Sequence, residues 1–220
     1  MLSQEEINVN QQDYKNMNYK GIKLLSLLLL FTFVVSAQSK DKGIKLKQVY
    51  PDQVEGEEIV IEYSSPSESI LQFDLVNAMS GEKIQSGSLA VRSGEQVQVF
   101  EIGVLPAGDY QLSVKGDNTH EAIAFQKVTA RGEASPMSVN IIAEGSTTNE
   151  GYHTVRKEIT FEAEVSEAAD QVIWDFGDGA VSKEASTTHA FQYPGEFEVT
   201  LIVLNGGRVY TSKQQVVVVR

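Results

Sequence analysis

Val172–Ser182 reads "VIWDFGDGAVS". It holds the only tryptophan of the chain, Trp174, and sets Asp175, Gly177, Asp178 and Gly179 into one short turn. An apolar run enters the stretch and an Asp/Gly cluster ends it, the pattern of a strand running into a tight turn. A calcium loop starting at Asp175 needs oxygen ligands at its third and fifth positions, glycine at its sixth and glutamate at its twelfth. Those positions hold Gly177, Gly179, Ala180 and Ser186, so the spacing fails. A carboxylate-pair hydrolase needs its two acids about 5–9 Å apart on opposite sides of a sugar ring. Two aspartates in one tight turn do not flank a ring. The structural reading fits better. An aspartate beside glycine tolerates left-handed backbone and hydrogen-bonds its own turn. Trp174 and Phe176 bracket Asp175 and point to one face of the strand, each able to bury about 150–250 Å². Trp174 is expected as a core anchor and Asp175 as a turn lock, with no catalytic residue and no metal among them.

The same strand grammar recurs on either side of this turn. In "EITFEAEV", Ile159, Phe161, Ala163 and Val165 alternate with Glu158, Thr160, Glu162 and Glu164, giving one buried and one wet face. "GEFEVTLIV" puts Phe197, Val199, Leu201 and Val203 on a common face. "QVVVVR" alternates poorly and predicts a last strand that is covered on both sides or sits beside another surface. The first half offers Ile59, Ile61 and Tyr63; Leu71, Phe73 and Leu75; Tyr110, Leu112 and Val114; then Ile123 and Phe125, with a hairpin turn at Ser80-Gly81. No long amphipathic helix interrupts this. The fold class expected is all-β, two tandem Ig-like antiparallel β-sandwiches over 43–128 and 136–220. The polar stretch 129–135, entering Pro136, joins them and is short enough to keep them close.

The 220 residues carry a net charge of −12, which disfavours nucleic acid and anionic lipid as partners. There is no cysteine, hence no disulfide, thiolate metal site or thiol nucleophile. From Met17, Lys20 and Lys23 precede an apolar run, Leu24 to Val35, closed by Val35-Ser36-Ala37. This predicts a signal peptide over 1–37, with Met17 as a possible true start and Gln38 as first mature residue. The run is shorter than the about 20 residues of a membrane span. The mature protein is expected to be periplasmic, surface-bound or released.

Taken together, "ITFEAEV", "WDFGDG" and "HAFQYPGEFEVTLIVLN" resemble PKD (polycystic kidney disease) domains in order and spacing. The resemblance covers about Ser138 to Arg220. It implies an Ig-like sandwich with a spacer role or a protein- or glycan-binding role on exported proteins. The matched residues Trp174, Asp175, Phe176, Gly177, Asp178, Gly179, His189, Phe191, Tyr193, Pro194 and Gly195 are then fold determinants, with His189 and Phe191 starting the strand before the Pro194-Gly195 turn. The first half resembles the C-terminal sorting domains of type IX secretion in Bacteroidetes, through Tyr50-Pro51, Gly81, Leu105-x-x-Gly108-x-Tyr110, Phe125 and Lys127. It departs from them at Gln53, where a second proline is usual, and by preceding another domain. The resemblance therefore implies a sandwich kept for binding or assembly.

Enzyme motifs are incomplete. Asp175-Phe176-Gly177 resembles the magnesium motif of protein kinases but lacks its companions, and "HEAIA" from His120 has Ala124 where a zinc protease needs histidine. The polar loop Glu144 to His153 is where a rigid sandwich would carry binding. Asn149, Tyr152 and His153 are its candidate contacts, with Tyr152 foremost and His153 expected exposed. No cofactor is expected. The function expected is an exported, non-enzymatic protein- or glycan-binding or structural module of the cell envelope. The alternative is a small secreted carboxylate hydrolase or an accessory domain of one.

Overall fold

The computed structural model describes residues 43–116, 119–132 and 137–220, all of which belong to one compact unit. The expected signal peptide and residues 133–136 around the joint lie outside the described residues.

Eight strands build the first half: β1 (Lys45–Tyr50), β2 (Gln53–Val54), β3 (Glu58–Ser65), β4 (Ser69–Asn77), β5 (Lys83–Val91), β6 (Gly94–Glu101), β7 (Gly108–Gly116) and β8 (Thr119–Lys127). They form a three-stranded sheet, β1-β3-β6, facing a five-stranded one, β2-β8-β7-β4-β5. The alternating residues read from the sequence meet between these sheets: Ile59, Ile61, Tyr63, Leu71, Phe73, Leu75, Tyr110, Leu112, Val114 and Phe125 are all buried in one cluster. At the β4–β5 hairpin Gly81 has a positive φ of 71°, and the Asn77 side chain accepts from the Met79 and Ser80 amides. That chemistry is why an Asn–Ser–Gly segment turns here.

The second half follows with β9 (Val139–Gly145), β10 (His153–Thr154), β11 (Ile159–Val165), β12 (Gln171–Asp175), β13 (Val181–Ser182), β14 (Ser186–His189), β15 (Gly195–Asn205) and β16 (Arg208–Val219). Its sheets run β10-β16-β15-β12-β13 and β14-β11-β9. Ile159, Phe161, Trp174, Phe176, Phe191, Val199, Leu201, Val203, Val216 and Val218 fill the space between them. In the last strand Val216 and Val218 are buried while Val217 and Val219 are half-buried. The antiparallel expectation needs one amendment, because β2–β8 and β10–β16 are short parallel pairs.

The two sandwiches are stacked face to face. A third core joins them, made of Tyr50, Val60 and Val97 from the first and Ile173, Ile202, Leu204 and Val209 from the second. Val60, Ile173 and Ile202 lie on the backs of strands whose fronts fill the sandwich cores, so β3, β12 and β15 are buried on both faces. "LIVL" at Leu201–Leu204 carried that signal, since an unbroken apolar run marks a strand covered on two sides. The β15–β16 hairpin adds a backbone dock. Its two-residue turn, Gly206-Gly207, has φ of 56° and 76°, the positive pair that a type I′ turn needs. The Gly207 carbonyl accepts from the Glu55 amide at 2.7 Å and the Gly56 amide at 3.3 Å. A Cβ on Gly207 would stand 2.6 Å from the Gln53 carbonyl oxygen, so only glycine permits this approach.

Candidate functional site

The Trp174 turn is built by packing around β12. Trp174 is fully buried, and its indole donates to the Glu184 carbonyl at 2.9 Å. Its ring stacks with Phe176 at 6.4 Å and tilts against Phe161 at 5.8 Å. The aromatic series continues through Phe176–His189 at 4.2 Å, His189–Phe191 at 4.6 Å and Phe191–Phe197 at 4.3 Å. His189 and Phe191 do not start a strand as the resemblance implied. His189 ends β14, and Phe191 lies beyond it, drawn out of strand geometry because its ring is buried between His189 and Phe197.

Each aspartate is engaged through both carboxylate oxygens. Asp175 accepts from the Gly177 amide at 2.9 Å, which is the turn lock read from the sequence. Its other oxygen pairs with Arg92, which comes from the first sandwich. Asp178 accepts from the Ala180 amide at 3.1 Å and pairs with His189 Nε2 at 2.7 Å. Burial pushes the Asp178 carboxyl up, but the His189 and Ala180 bonds outweigh it and the net shift is downward. Gly177, at φ 78°, lets the turn pass under Glu198, whose carbonyl oxygen would lie 2.8 Å from a Cβ.

A second polar cluster crosses the seam. Lys183 donates to Glu62 at 2.7 Å and to the Tyr50 hydroxyl at 2.9 Å, and the Tyr50 hydroxyl donates to Glu62 at 2.9 Å. The Glu62 bond, with Tyr50, raises the Lys183 pKa. Burial pushes Glu62 up, yet Lys183 and Tyr50 hold it below the usual carboxylate range. Arg92, Glu62 and Lys183 carry no local motif, so sequence reasoning missed them; only the pairing of distant strands brings them together. Grooves of about 510, 540 and 460 Å³ run along this seam, each lined from both sandwiches.

The loop candidates do not converge. Asn149 is exposed in a turn shaped by Thr148, whose hydroxyl accepts from the Glu150 and Tyr152 amides. Tyr152 is exposed beside it. His153 was expected in solvent, but it is half-buried in β10 because that strand pairs with β16, and its Nδ1 has no partner. Tyr193 projects into solvent from the turn before Pro194.

Residues 141–219 match the PKD domain family model. Collagenase ColA of Clostridium perfringens (strain 13 / Type A) is 41% identical over 70 residues, which is 30% of this chain; the chain spans about 6% of that relative's length. Among solved structures, a chimeric titin Z1Z2-Z1Z2 tandem is similar at 15% identity and a TM-score of 0.30, covering 80% of this chain and 100% of that one. The amphioxus IgVJ-C2 molecule is similar at 13% identity and a TM-score of 0.26, covering 74% of this chain and 98% of that one. Residues 141–219 are thus similar to PKD domains, and in the structure that stretch folds into a β-sandwich.

Proposed function

We propose that this protein is an exported, non-enzymatic module in which two β-sandwiches are fused into one stiff body that binds a partner or spaces other parts of the cell envelope. The observation that carries the reading is the engagement of the turn aspartates. Both oxygens of Asp175 and both of Asp178 serve backbone amides, Arg92 or His189. An acid committed to holding a turn and a seam is poorly placed to trade protons with a substrate. The third core supports the stiff-body half of the reading, since a buried apolar seam resists the hinge motion expected of loosely joined domains. The apolar run Leu24–Val35 supports export.

The test uses the chain from Gln38 onward, which contains the whole Lys42–Arg220 unit. It is incubated with gelatin, casein and a polysaccharide panel, beside glycan-array and cross-linking screens on envelope fractions. Binding or cross-linking without turnover is expected. Turnover abolished by Asp178→Asn or Asp175→Asn, in variants that keep native near-UV circular dichroism, would refute the non-enzymatic reading.

A further inference from the structure

Among the described residues, most lysines and arginines are engaged: Lys47 with Glu95, Lys83 and Lys115 with Asp74, Arg92 with Asp175, Lys183 with Glu62, Lys213 with Glu198. Arg131 and Arg208 meet Glu55, and Lys127 donates to the Glu55 carbonyl. This is what a chain of net charge −12 should do with scarce cations. Four cations stand apart: Lys45 at the start of β1, and Arg156, Lys157 and Arg220 in the second sandwich. All are exposed and none has an ion pair, and the topology gathers the last three at one place. The Arg156 amide donates to the Phe191 carbonyl at 2.9 Å, and the Val155 amide to the Val219 carbonyl at 2.9 Å, so this segment crosses the end of β16 beside Arg220. Val218 pairs with Gly195 on one side and His153 on the other. The same end therefore presents the exposed rings of Tyr193 and Tyr152. Glu150 and Glu158, acids next to these segments, form no ion pair with the three cations.

Arg156 has a φ of 61°, and among the described residues no other non-glycine residue has a positive φ. A bulky side chain held in that region is strained, and such strain concentrates at ligand clamps. The end is also the free one. The 11 residues of β15 put it about 33 Å from the Gly206-Gly207 hairpin that docks on the first sandwich.

We propose that this end binds an acidic polysaccharide, with Arg156, Lys157 and Arg220 meeting its anionic groups and Tyr193 and Tyr152 lying against its rings. The inference rests on the binding reading of the function. Guanidinium and ammonium groups without internal partners are available for carboxylate or sulfate, and exposed tyrosine supplies a rigid amphipathic face. The acidity of the remaining surface confines attraction to this end and disfavours a long, densely charged polyanion such as duplex DNA.

The experiment is affinity electrophoresis and titration calorimetry of the chain from Gln38 with polygalacturonate, neutral dextran and duplex DNA. Polygalacturonate is expected to bind, more weakly as ionic strength rises from about 0.05 to 0.5 M. Arg156→Asn, Lys157→Gln and Tyr193→Ala should each weaken it about tenfold with an unchanged melting temperature. Asn tolerates the left-handed backbone at position 156. Lys45→Gln, removing an unpaired cation of the first sandwich, should change nothing. Absent binding, equal binding of DNA, or binding indifferent to the three substitutions overturns the site. A neutral glycan held equally by every variant overturns it too, but leaves the binding-module reading standing.

Discussion

Val60→Ala tests whether the two sandwiches are one cooperative body. Val60 is fully buried on the back of β3, and its contacts lie in the seam with Ile173, Ile202, Leu204 and Val209. The substitution removes two methyl-sized groups from a packed interface. At about 0.8 kcal/mol per buried carbon plus a cavity term, the loss is about 2 kcal/mol. Trp174 reports the result, because it is the sole tryptophan and lies fully buried in the other sandwich. For a unit of this size a urea slope of about 2 kcal/mol/M applies, so the fluorescence midpoint should fall by about 1 M. The far-UV circular dichroism midpoint should fall with it, and the two curves should coincide. Leu112→Ala, confined to the first core, should lower the Trp174 midpoint in a cooperative unit by the equivalent of about 2–5 kcal/mol. A Trp174 transition that does not move while circular dichroism splits into two steps would refute the seam as a stabilising core.

The glycine hairpin offers a matched pair: Gly206→Ala meets nothing within 4 Å and should cost only backbone strain, about 1 kcal/mol, whereas Gly207→Ala also drives a Cβ into the Gln53 carbonyl and should cost at least about 1 kcal/mol more by thermal melting. Asp178 gives a pH prediction. Its folded pKa is depressed, so its contribution is present above the ordinary carboxylate range near 3.8 and is lost as pH falls through the lower folded value. Asp178→Asn should therefore lower stability at pH 7 by about 1 kcal/mol and flatten the acid limb of a melting-temperature profile; an unchanged limb would remove His189 as its cause. Deleting Gln215–Arg220 removes Val216 and Val218, each only 2% exposed, together with their ladder to β15. The truncated second sandwich should not fold, and Trp174 emission should shift to that of a solvated indole without denaturant.

Much of the architecture is readable along the chain. Alternation at Ile159–Val165 and Leu71–Leu75 names the inward faces, because side chains of a strand alternate and one face must leave water. "WDFGDG" declares a turn, because Asp hydrogen-bonds its own backbone and Gly takes positive φ. These are local rules, acting within a few residues. What they leave open is whatever depends on strands far apart in sequence. Asp175 reads as a turn lock, yet its second oxygen belongs to Arg92, 83 residues away. The apolar run Leu201–Leu204 signals a strand covered on two sides but not what covers the second, which is Tyr50 and Val60 against Ile202 and Leu204. Arg156, Lys157, Tyr193 and Arg220 are unremarkable singly and become neighbours only because β16 ends beside the Phe191 segment. The sequence by itself determined the strands, the turns and the two sandwich cores, since these follow from periodicity and backbone preference. Only the tertiary structure decided the seam, the cross-sandwich ion pairs and the basic, tyrosine-bearing end, since these arise from which distant surfaces pack, and no short-range preference encodes that.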